Sequence, residues 1–168
     1  IARHGDSVGF CLSKGLSAPF GSVLCGSADF IERCRAYRRM VGGGMRQAGI
    51  MAAAGLVALD GMVERLAEDH RRAKKIAEGI QRIDQRLVDP RLVETNIVMI
   101  DVAYSGSNAK RWIAALEAAG LRSGAWSPRS LRLVTHRHID DAAVERTIET
   151  FRSVFAPQDR SALTRRAS

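Results

Sequence analysis

Lys14 stands where a charge is expensive. It follows the apolar run Val8-Gly9-Phe10-Cys11-Leu12 and is the only charged side chain in FCLSKGLSAPFGSVLCGS, residues 10–27. An ammonium set among apolar groups costs free energy unless it is paired or neutralised. Two chemistries suit a lysine at the end of a strand. It can be a structural ion-pair partner, or an amine that forms a Schiff base with a carbonyl. The second needs surroundings that favour the neutral amine, through burial or nearby cations. The local pattern leaves both open.

Other residues offer weaker chemistry. Cys11, Cys25 and Cys34 contain no CxxC pair, and an odd count without a framework reads as reduced, buried thiols of a cytosolic protein. As buried residues they read as small hydrophobes rather than catalytic thiols. His136 and His138 form an HxH with no third ligand nearby, so no metal site is expected. Arg46 follows Gly42-Gly43-Gly44-Met45, and Arg132 lies in LRLVTH, residues 131–136. An arginine on a short strand reads as surface on pattern alone.

These residues need elements to hold them. Residues 7–12 and 21–25 read as two strands, the first of them buried, joined by the loop 14–20. A helix over 28–40 has Phe30, Ile31, Cys34 and Tyr37 at helical spacing. The triple Gly at 42–44 is either a helix stop or a place where backbone passes close to another group. A long helical pattern follows from 45 to about 82. It is rich in small residues at first, which permits close approach. From Asp60 it turns amphipathic, with Met62, Leu66, Ala73, Ile76, Ala77, Ile80 and Ile83 as its stripe. A strand is expected at 95–102, then a helix capped by Ser107 and stopped by Gly120. A hairpin follows, turning at Ser127-Pro128-Arg129-Ser130. The last helix starts at Asp140 or Asp141, with Val144, Ile148 and Phe151 inward. The order predicts an α/β chain in three parts: 1–85, a small α/β lobe at 86–157, and a disordered basic tail at 158–168.

Composition bounds the function classes. The 168 residues are 46% hydrophobic and 26% charged, as in globular domains. The net charge of +8 could suit nucleic acid. With 5% aromatics and no base-stacking or recognition-helix pattern, no nucleic-acid partner is expected. The longest uncharged apolar run, 48–59, is too short to span a bilayer, so no membrane partner is expected. The start at Ile1, with a core-like strand almost at once, predicts the C-terminal portion of something longer.

Three motifs in order carry a specific resemblance: CLSKGL with SAPFGSVLCGS, then YRRMVGGGMRQAGIMAAAG, then LRLVTH. Over about 6–155 the chain resembles the threonine aldolase family. The resemblance implies fold type I, the aspartate-aminotransferase-like α/β class, represented by the end of its large domain plus the small C-terminal domain. It implies pyridoxal 5'-phosphate as cofactor and cleavage of threonine or allo-threonine to glycine and acetaldehyde. A cytoplasmic homo-oligomer, dimer or tetramer, acting on a small amino acid is what the family suggests. Lys14 matches the Schiff-base lysine. Ser13 matches a position that reaches the cofactor phosphate, with a structural hydroxyl in the turn as the other reading. Arg46 matches an arginine near the phosphate, supplied across a subunit interface, with a structural salt bridge as the other reading. Arg132 matches the arginine that receives the substrate α-carboxylate, a role a guanidinium fork suits.

The resemblance has departures. Tyr37-Arg38-Arg39-Met40 stands where similar sequences read WRKM, and Ser17 stands where glycine is common. The family's pyridine-nitrogen aspartate, ring-stacking histidine, Gly/Thr phosphate loop and second carboxylate arginine precede the lysine, upstream of this sequence. The 168 residues alone are therefore expected to be inactive. Another reaction of the same fold, β-elimination, and a non-catalytic remnant remain as alternatives.

Overall fold

The structure is a computed structural model that describes residues 2–155. The tail expected at 158–168 lies outside the described residues. The chain forms two compact units that part between Leu66 and Ala67.

In the first unit, β1 (Ser7–Cys11) and β2 (Ser22–Gly26) pair antiparallel, with Val8 opposite Cys25 and Phe10 opposite Val23. The helix α1 (Ala28–Met40) begins where Ser27 Oγ accepts the Phe30 N–H at 3.3 Å. It ends in a Schellman motif. Gly42 sits at φ +79°, and the N–H groups of Gly43 and Gly42 donate to the carbonyls of Arg38 and Arg39. A Cβ at Gly43 would also meet Arg38 Cγ at 2.8 Å, so this segment is both a helix stop and a close approach.

The next helix, α2 (Gly49–Met62), is apolar all round, yet within the unit it buries only Gly55 and Ala58. Leu12, Leu16, Ala18 and Ala58 form the core, with Val23, Leu59, Met62 and Leu66 packed around it. The strands expected to be buried are open instead. Phe10 is 37% and Leu24 46% exposed, because a two-stranded ribbon has little here to cover its faces. Cys11 and Cys25 are consequently exposed and Cys34 is half-buried; all three are free thiols.

The long helix expected from 45 to 82 is two helices. After Met62 the chain turns, the Leu66 N–H bonds the Val63 carbonyl at 3.1 Å, and α3 (Leu66–Gln81) begins. The break falls where the pattern changes from uniformly apolar to amphipathic, so each helix buries its own face in its own unit.

The second unit carries an antiparallel sheet in the order β3-β5-β4, from β3 (Ile97–Asp101), β4 (Gly124–Ser127) and β5 (Ser130–Val134). Alternation sets its faces. Val98, Ile100, Leu131 and Leu133 point into the core, whereas Ile97, Met99, Arg132 and Val134 are exposed. The core is completed by Ala73, Ile76, Ala77 and Ile80 of α3, by Trp112 and Leu116 of α4 (Ala109–Ala118), and by Val144, Ile148 and Phe151 of α5 (Asp141–Phe155). Asn108, one residue beyond the expected Ser107, caps α4: its Oδ1 accepts the Arg111 N–H at 3.0 Å. Gly120 at φ +84° ends that helix as expected, with Leu121 N–H bonding the Leu116 carbonyl. Asp140 caps α5 by accepting the Ala143 N–H at 2.7 Å.

Candidate active site

The loop between β1 and β2 is built around its apolar side chains. Leu12 N–H bonds the Gly21 carbonyl, Ala18 N–H bonds the Leu12 carbonyl, and Ser17 N–H closes a turn on the Lys14 carbonyl at 2.8 Å. Ser17 occupies the left-handed region at φ +61°, which accounts for glycine as an alternative there. Leu12, Leu16 and Ala18 are buried. Gly55 of α2 lets Leu12 seat closely, since a Cβ there would lie 3.0 Å from Leu12 Cδ1. Gly15 is equally confined, because a Cβ would fall 2.8 Å from Leu66 Cδ2.

With those residues turned inward, Ser13 and Lys14 are exposed at the loop's outer side. Among the described residues, no hydrogen bond or ion pair engages either side chain. The ion-pair reading of Lys14 and the structural-hydroxyl reading of Ser13 thus find no partner here. Arg46 lies in the turn before α2, beside Gln47 at φ +50°, and is also exposed without an ion pair among the described residues.

Arg132 belongs to the second unit, on the open face of the sheet. It lies opposite Met99 of β3 and Gly124 of β4. Its guanidinium carbon sits 5.7 Å from the centroid of the Trp126 ring, and no hydrogen bond or ion pair occupies its N–H groups among the described residues. Met99 also lines a hollow of about 610 Å³ with Asp101, Tyr104 and Ser130. Ser13, Lys14 and Arg46 are therefore features of one unit and Arg132 of the other. Trp126 is the neighbour that motif reading missed. The signal was an aromatic two residues from the glycine that faces Arg132.

No group of three or more His, Cys, Asp or Glu side chains suited to a metal exists among the described residues. The rings of His136 and His138 stand edge-on at 5.7 Å, and the His138 N–H reaches His136 Nδ1 at 3.3 Å.

Comparison with known proteins gives this arrangement its place. The beta-eliminating lyase family model matches residues 1–105. A low-specificity L-threonine aldolase of Arabidopsis thaliana is 39% identical over 152 residues, covering 90% of this chain and 42% of that protein. The Escherichia coli low specificity L-threonine aldolase is 43% identical over 109 residues, 65% of this chain and 32% of that protein. A solved structure from Listeria monocytogenes, assigned as an L-allo-threonine aldolase, superposes with a TM-score of 0.71 at 17% identity, covering 89% of this chain and 44% of that one. The chain belongs to the beta-eliminating lyase family, and within it is similar to the threonine aldolases. Its fold is the fold type I α/β class of the solved neighbour. The chain spans less than half the length of these relatives.

Proposed function

We propose that these residues belong to a pyridoxal 5'-phosphate-dependent lyase that cleaves threonine or allo-threonine to glycine and acetaldehyde. The observation that carries the reading is the place of Lys14 in CLSKGL, at the tip of a loop whose apolar residues are anchored; contrary to the sequence expectation the lysine itself is exposed, and no described residue buries it or sets a cation beside it. Similarity to relatives named low-specificity L-threonine aldolase points the same way.

The residues present fit the cofactor. A primary amine, a hydroxyl and a guanidinium, none engaged by a described residue, are the donor set that an aldehyde bearing a phosphate ester requires. Lys14 Nζ would hold the aldehyde carbon; Ser13 Oγ and the Arg46 fork, the latter from across a subunit interface, would hold the phosphate. When bound, the cofactor supplies the electron sink for breaking a bond at the amino acid's Cα. Arg132 offers two parallel N–H donors to the α-carboxylate, which orients the substrate. A cytoplasmic homo-oligomer is part of the same proposal, as the family resemblance suggests. Exposed apolar side chains on α2, among them Ile50 and Val57, support assembly. No helix among the described residues is long and apolar enough to cross a membrane.

A second reading, β-elimination, is favoured by the family model itself. Products separate the two. The complete enzyme that contains these residues, loaded with pyridoxal phosphate, is offered L-threonine, L-allo-threonine and a β-substituted alanine. Glycine and acetaldehyde from the first two support the proposal, and pyruvate with ammonia from the third alone would replace it. Arg132→Ala should lower kcat/KM about 30- to 1000-fold, the equivalent of about 2–4 kcal/mol for a lost charge-assisted contact.

A further inference from the structure

We propose that Trp126 is a positioning residue, whose indole fixes the Arg132 guanidinium so that its in-plane donors face a small monocarboxylate. The proposal rests on reading Arg132 as the carboxylate arginine.

The sheet register builds the pair. On β5, Arg132 has Met99 on one side and Gly124 on the other. Gly124 carries no side chain, so nothing on β4 directly opposite competes for the space beside the guanidinium. Pairing shifts between Ala125 and Ser127, which leaves Trp126 as the extra residue of a bulge. Bulges re-aim side chains, and here the indole is carried over Arg132 at 5.7 Å. The turn beyond is held by the Ser127 and Ser130 hydroxyls at 2.7 Å and by Arg129 N–H on Ser127 Oγ at 3.2 Å.

The geometry suits a receptor better than a structural contact. Trp126 is 66% exposed and lies apart from the core cluster, so the fold gains little apolar burial from it. All five N–H groups of a guanidinium lie in its plane, and an indole set over it at 5.7 Å takes none of them as a hydrogen-bond donor. A free arginine loses rotamer freedom when it grips an anion, and stacking removes part of that loss in advance. A lysine at 132 would gain neither the stack nor the fork.

The test uses the full chain titrated with sodium acetate at constant ionic strength, with acetamide as the neutral control. Two signals are followed: the Arg132 Nε–H resonance and tryptophan emission. Trp112 is 3% exposed and Trp126 two-thirds exposed, so Trp112 emission in the Trp126→Ala variant reports an intact fold. Trp126→Ala should weaken acetate binding about 3- to 10-fold, as expected for a partly exposed cation–π stack, and broaden the Nε–H resonance. Trp126→Phe should recover most of the affinity, and acetamide should bind to none of these proteins. If Arg132→Ala binds acetate as well as the parent, or the parent binds none, the carboxylate reading itself falls. If Arg132→Ala abolishes binding while Trp126→Ala matches the parent in affinity and Nε–H line shape, the positioning role falls and the carboxylate reading stands.

Discussion

The two compact units make opposite use of their apolar side chains. Residues 67–155 gather eighteen buried apolar residues into one cluster over a three-stranded sheet. Residues 2–66 bury four, while Met40, Val41, Ile50 and Val57 are each more than 70% exposed. The unit with the large core holds Arg132, on a sheet strand. The unit with the small core holds Ser13, Lys14 and Arg46, all exposed on loops and turns. Burial of a large apolar side chain stabilises by roughly 1.5–3 kcal/mol, so the difference in core size sets which unit is the more stable by itself.

Deleting core volume should break this comparison most sharply. Phe151 is fully buried and stacks on Trp112 at 5.9 Å. Phe151→Ala should cost about 3–5 kcal/mol, read as a lowered urea midpoint of Trp112 emission. Leu16→Ala, in the four-residue cluster, should cost about 2 kcal/mol, because an open site collapses more readily around the lost volume. Hydrogen exchange within residues 2–66 would show it, and equal costs would erase the distinction between the units.

Overpacking sharpens it at a smaller scale. Gly79 lets α3 meet α5, and a Cβ there would fall 2.4 Å from Ile148 Cδ1 and 2.9 Å from Cγ2. Gly79→Ala should therefore destabilise by about 1–3 kcal/mol despite alanine's better helix propensity. Gly61 of α2 has nothing within 4 Å of the same added atom, so Gly61→Ala should stabilise by a few tenths up to about 1 kcal/mol.

The smallest effect is electrostatic. The Arg71 guanidinium, hydrogen-bonded to Asp141 at 2.9 Å, holds that carboxyl below its ordinary range, and Arg72 adds to the effect. A carboxyl depressed in the folded state stabilises above its unfolded value and loses that contribution as pH falls through the folded one. Arg71→Ala should thus lower the melting temperature slightly at pH 7 and not at pH 2. Both partners are exposed, so added salt should shrink the difference.

Much of this was legible in the residues. The expected helix 28–40 with its glycine stop matches α1, and α5 buries Val144, Ile148 and Phe151 at the expected spacing. What was not legible depends on partners remote in sequence. An apolar strand reads as buried whether or not something covers it, so the exposure of β1 and of Cys11 and Cys25 had no local sign. Adjacent Ser107 and Asn108 both suit a cap, and the choice rests on which oxygen reaches the Arg111 N–H. The break at 63–65 came from a change of helix face that a single periodicity smooths over. The SKG motif drew attention to Lys14, whereas Trp126 beside Arg132 follows from the pairing of Gly124 with Arg132, a register that no local motif gives.

The central claim is that Lys14 is the residue that holds the cofactor. The chain has four lysines, at 14, 74, 75 and 110, and only Lys14 lies in the first unit. The complete enzyme that contains these residues, loaded with pyridoxal phosphate, is reduced with borohydride, digested and mapped by mass spectrometry. The account predicts the pyridoxyl group on the peptide bearing Lys14 and none on Lys14→Ala; a label on Lys74, Lys75 or Lys110 instead, persisting in Lys14→Ala, would contradict it.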